Sequence, residues 1–92
     1  MLNEYEARAA AFKRVVTIER ELAKKATTCE MIIDLVIKEL LANGATYHFF
    51  TMESLLNVMQ NVQEEIIVEL SHARIQKGLH AFLMKQARIN EG

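Results

Sequence analysis

The chain has no proline and three glycines, Gly44, Gly78 and Gly92, so almost nothing in it interrupts a helix. It has a single cysteine, Cys29, which excludes an internal disulfide and a thiol pair for a metal, and agrees with a reducing compartment. Cys29 itself reads as a small apolar core residue. A long apolar run is missing too. The longest nearly apolar stretch, Met31 to Leu41, carries Asp34, Lys38 and Glu39 and falls well short of the roughly 20 residues a membrane span needs. No basic segment followed by an apolar run and a small-residue cleavage site opens the chain, so no secretory signal is read and the expected compartment is the cytoplasm. Excess charge of one sign is also lacking: the formal net charge is −1, which excludes a nucleic-acid binder driven by bulk positive charge and leaves only local patches.

What is present suits a folded helical chain. Apolar residues make up 51% and charged residues 25% of 92, far from the low-hydrophobicity balance of disorder, and the length fits one domain, read as 1–92. Asn3 and Glu6 have capping-box spacing before a run of good helix formers, so a first helix is predicted from about residue 4. A seven-residue apolar repeat follows, with Tyr5, Phe12, Ala26, Ile33 and Leu40 in one column and Val15, Leu22, Cys29 and Val36 in the other. Arg8, Glu19 and Asn43 interrupt it. Thr27 and Glu30 offer a second capping box and so a break, but the repeat passes through them in phase. That favours one helix to about residue 42, ended by Asn43-Gly44 as a C-cap pair.

Residues 43 to 51 read as the one loop, with Thr51 as N-cap of the next helix and Phe50 and Leu55 at hydrophobic-staple spacing around it. Tyr47, Phe49 and Phe50 are then expected to close the end of the core, with an exposed aromatic patch for a partner as the alternative. From Met52 the apolar positions Leu55, Leu56, Met59, Val62, Ile66, Leu70 and Ala73 keep helical spacing. After Ala73 the stripe shifts towards Ile75, Leu79, Phe82, Leu83 and Ile89, which makes a bend near Gly78, or near Asn61, an open alternative to a straight rod. The expected fold is all-α: a long antiparallel helical hairpin with helices at about 4–42 and 52–88. Ile32, Leu35, Ile37 and Leu41 lie off the stripe that faces the second helix. Leaving them wet is costly at ~25 cal/mol per Å², so pairing of two hairpins into a dimeric four-helix bundle is expected. Five methionines fit either docking helices or ordinary core filling.

One pattern has catalytic geometry. Glu69-Leu-Ser-His72 places a carboxylate and an imidazole on one helix face, as in di-metal four-helix proteins, with Glu30 or Glu39 as further ligands across a dimer. Both residues flank an apolar stripe in a glutamate-rich helix, where such a pattern arises by chance. His48 and His80 have no ligand spacing with it. No Gly-rich loop or activated nucleophile is readable. The expectation is a protein that is not an enzyme, with no cofactor and no metal. Charge divides along the second helix, with Glu53, Glu64, Glu65 and Glu69 before Arg74, Lys77, Lys85 and Arg88. This suits the helix dipole. It also allows the basic end to touch phosphates or an acidic protein. Lys13, Arg14, Arg20, Lys24 and Lys25 among Glu19 and Glu21 look like a solvated coiled-coil flank, and no helix-turn-helix is visible.

The order of a long charged helix, an apolar helix ending in Asn43-Gly44-Ala45-Thr46 and a Glu-rich helix resembles two kinds of small protein. One is the phage Gam type of inhibitor of a host DNA-repair nuclease; the other is the AriR/YmgB type of small dimeric bacterial regulator. The likeness covers residues 26 to 83 and transfers no functional residue. It implies a non-enzymatic inhibitor or adaptor that binds another protein, with a dimeric DNA-binding regulator as the alternative and a di-metal carboxylate protein behind it. The candidate partner-binding residues are Tyr47, Phe49, Phe50, Arg74, Lys77, Lys85 and Arg88.

Overall fold

The computed structural model describes residues 3–91, so Met1-Leu2 and Gly92 lie outside it. Two helices, α1 (Glu4–Asn43) and α2 (Phe49–Glu91), are joined by a single 3₁₀ turn (Gly44–Thr46) and packed against each other; no strand occurs among the described residues. The protein is an all-α antiparallel helical hairpin. Asn3 starts α1 as its spacing predicts, its side-chain oxygen accepting the Glu6 N–H at 2.7 Å and its carbonyl the Ala7 N–H at 3.0 Å. Thr27-Thr28 does not break the helix. The Thr28 hydroxyl donates instead to the Lys24 carbonyl one turn back, at 2.8 Å, so it stays within the helix rather than capping a new one.

The turn departs from expectation in two ways. Gly44 is right-handed helical (φ −55°, ψ −34°) and none of the described residues has positive φ, so Asn43-Gly44 does not form a left-handed C-cap; the chain tightens into the 3₁₀ turn instead. The second helix starts at Phe49 rather than 52, because His48 does the capping assigned to Thr51. Its Nδ1 accepts the Thr51 N–H at 3.3 Å and lies 2.9 Å from the Thr51 hydroxyl. The staple moves with the cap: Phe50 and Leu55 are both exposed, while Tyr47 and Met52, at the equivalent positions around His48, line one hollow.

Every apolar residue of the two α1 columns is buried or half-buried, and so are the interrupting Arg8 and Glu19; Asn43 is exposed. Opposite them α2 presents Met52, Leu56, Met59, Ile66, Leu70 and Ala73, and then continues in the same alternation of three and four through Lys77, His80, Met84 and Ala87. The seam therefore does not shift after Ala73, and α2 runs on through Asn61 and Gly78 as one helix. Ile75, Leu79, Phe82 and Ile89 form an outer, exposed row. Apolar character misled there because the seam itself turns polar. Lys77 reaches the Glu19 carboxylate at 2.6 Å, so two seam positions that look unfit for a core pair as opposite charges. The best-packed cluster, Leu22, Leu70 and Ala73 with Ala23 and Ala26 around it, lies near mid-hairpin.

Two helices in contact along one stripe make a thin rod of 67 × 19 × 16 Å. Its radius of gyration is 20.3 Å, against about 12 Å for a compact domain of this length. The accessible surface is 7104 Å², where a globular chain of 10.5 kDa exposes about 5,400 Å². Roughly 1,700 Å² is thus in excess of what a monomer of this mass ordinarily leaves wet. Ile32, Leu35, Ile37 and Leu41, expected off the seam, are all exposed.

Candidate interaction surfaces

Three surfaces gather the chemistry-bearing residues. The first is the closed end of the hairpin. Glu39, one turn before the end of α1, accepts hydrogen bonds from the Asn43 amide at 3.0 Å and the Tyr47 hydroxyl at 2.7 Å on the same oxygen. The Tyr47 bond, and behind it the Asn43 bond, hold the Glu39 carboxyl below the usual carboxylate range, and the Glu39 bond holds the Tyr47 hydroxyl above the usual phenol range. This clasp fixes the turn. Beyond it Phe49 and Phe50 stand 70% and 71% exposed, packed edge to face on each other at 5.5 Å. They do not close the core. Between α1 and the start of α2 lies an open hollow of about 450 Å³ lined by Leu40, Gly44, Tyr47, Phe49, Met52 and Leu56.

The second surface is one flank of the hairpin. Helical register sets Ile18, Ile32 and Leu35 of α1 beside Leu55, Val58 and Val62 of α2, all exposed. Two shallow hollows follow it: one between Ile32 and Val58–Val62, beside the half-buried Cys29, and one between Ile18 and Val68–His72. Glu69 and His72 lie on this flank, both exposed, and no third His, Cys, Asp or Glu joins them into a group that could hold a metal among the described residues. A single hairpin therefore does not assemble the set of ligands that the Glu-x-x-His pattern suggests.

The third surface is the opposite flank of the open half. Seven-residue spacing puts Lys13 and Arg20 of α1 on the same side as Arg74 and Arg88 of α2, with Lys85 beside them, all exposed. Lys77 belongs elsewhere, since Glu19 engages it within the seam. Of the residues singled out in the sequence, Tyr47, Phe49 and Phe50 are brought together at the closed end, and Arg74, Lys85 and Arg88 share the basic flank. The parts Glu39, His48 and Glu19 play in the clasp, the cap and the seam differ from their sequence readings as a further metal ligand, a loop histidine and an interruption of the repeat. The spacing of Asn43 and Tyr47, four and eight residues after Glu39, is the one signal in the sequence that points to the clasp.

Fold and surfaces together define a two-helix hairpin with open hollows along its seam, and no helix among the described residues is long and apolar enough to cross a membrane. No protein-family model, curated protein or solved structure matches the chain.

Proposed function

We propose that this is a non-enzymatic helical regulatory protein, an inhibitor or adaptor, that acts by binding another protein through its closed end. The observation that carries this reading is the exposed Phe49–Phe50 pair, held beside an apolar hollow by the Glu39–Tyr47 clasp. Exposed aromatics on a rigid support are what interfaces use as anchors, because they bury much area for little lost rotamer freedom. The clasp orders the turn before any partner arrives, so less entropy is lost on binding. The likeness to Gam-type inhibitors and AriR/YmgB-type regulators implies the same kind of activity.

The test is affinity capture with the immobilised full chain, wild type against F49A/F50A, at low salt. A stoichiometric protein held by the wild type and weakened about 30-fold or more by the double substitution supports the reading, since an anchor residue is worth about 2 kcal/mol. Capture of no stoichiometric protein overturns it. A second reading, a DNA-binding regulator, rests on the shared flank of Lys13, Arg20, Arg74, Lys85 and Arg88. Duplex binding that falls steeply with salt and with R74E/R88E supports it, and no binding at low ionic strength removes it.

A further inference from the structure

We infer that the apolar flank, distinct from the closed end, is covered by a second copy of this chain, lying antiparallel about a twofold axis that crosses the hairpin at the level of Lys25 and Glu69. Three observations lead there. The first is area. With roughly 1,700 Å² of surface in excess per chain, two copies sharing it remove about 3,400 Å², within the 2,000–5,000 Å² of permanent homodimers and above the standard size of transient contacts.

The second is the layout of the flank. Its loop half carries Ile32, Leu35, Leu55, Val58 and Val62, and its open half carries Ile18 with Leu79 on the outer side of α2; all are exposed. A twofold axis across the middle lays each loop half on the other copy's open half, so both apolar patches are covered at once. Lys25 lies near the middle of α1, so this register overlaps the rods over nearly their whole length.

The third is charge. At mid-flank Lys25 on α1 shares its level with Glu65 and Glu69 on α2, all three exposed. The ion pairs among the described residues are Lys24–Glu21 and Lys77–Glu19, and none of these three takes part. The axis gathers Lys25 and Glu69 of both copies into one mixed-charge cluster at the centre of the seam, whereas a copy slid along the rod lays these charges on the other's apolar patches, and this fixes the register. The result is a four-helix bundle with a Phe49–Phe50 pair at each end, so the closed-end surface is presented twice and faces away from the dimer seam.

The experiment is sedimentation equilibrium of the full chain at micromolar concentration, with circular dichroism on the same samples. Wild type is expected at twice the 10.5 kDa chain mass. I32E/V58K, at two exposed positions, is expected at the chain mass with helicity kept, whereas F49A/F50A and I37E, on other surfaces, keep the doubled mass. A wild type at the chain mass overturns the proposal, and so does a doubled mass that I32E/V58K leaves unchanged while its helicity is kept. If I32E/V58K loses its helicity, cysteine crosslinking decides instead. In the C29S background, E69C close to the axis is expected to form a disulfide with its own copy under oxidation, and L35C, far from the axis, is not. Ready self-crosslinking of L35C, or none at E69C, overturns the antiparallel register.

Discussion

Glu19 and Lys77 are the residues at which the sequence pattern and the packing diverge, and they carry the clearest energetic prediction. The Glu19 carboxylate oxygen is buried and the Lys77 ammonium lies 2.6 Å from it. Lys77→Ala strands a buried acceptor and is expected to cost about 1–3 kcal/mol in denaturant unfolding at fixed protein concentration. Glu19→Leu with Lys77→Met fills the same space without charge and is expected to be neutral or stabilising. If the single substitution costs nothing, the pair does not hold the seam. The Glu39–Tyr47 clasp yields a pH dependence. Because the folded-state carboxyl titrates below its unfolded value, its contribution is present above the ordinary carboxylate range and is lost as pH falls through the lower folded value. The Tyr47 contribution is complete below the ordinary phenol range and is lost as pH rises through the higher folded value. Both groups face solvent, so the effect is local. The ring resonances of Tyr47 and Phe49 are expected to shift together under acid while the mid-hairpin signals stay fixed, and acid-insensitive Tyr47 resonances contradict the clasp.

For the helices, the sequence was most informative where a single period decides. The α1 columns, the Asn3 cap and the absence of proline are local signals, and α1 follows them within a residue at each end. The second helix was harder to read, because two apolar rows run along its C-terminal half and the richer one, Ile75, Leu79, Phe82 and Ile89, is the exposed one. Burial there depends on what lies across the seam: a lysine is acceptable at position 77 only because a glutamate stands at position 19. The start of α2 was misplaced for a related reason. Thr51 is a better intrinsic cap than histidine, yet the His48 imidazole reaches the Thr51 N–H and α2 starts at Phe49, just under one turn before 52. His48→Ala is expected to cost about 1 kcal/mol and to speed amide exchange at the first turn of α2, around residues 49 to 52. Unchanged exchange there means the cap contributes nothing.

For the whole molecule, the governing fact is the mismatch between the surface this rod exposes and what its mass ordinarily exposes alone. Two helices can bury one stripe each, and among the described residues nothing covers the flank that carries Ile32, Leu35, Val58 and Val62. The off-stripe residues of α1 made this readable in the sequence. The aromatic end was not readable, because staple spacing around Thr51 favours a core-closing role for Tyr47, Phe49 and Phe50, and only their exposure shows otherwise. If association supplies the missing layer, folding and assembly are one equilibrium, and stability depends on protein concentration. The most direct measurement is therefore the thermal melt of the full chain by circular dichroism over a hundredfold range of concentration. The midpoint is predicted to rise steadily with concentration; a midpoint independent of concentration, in a chain that sediments at its own mass, contradicts the account.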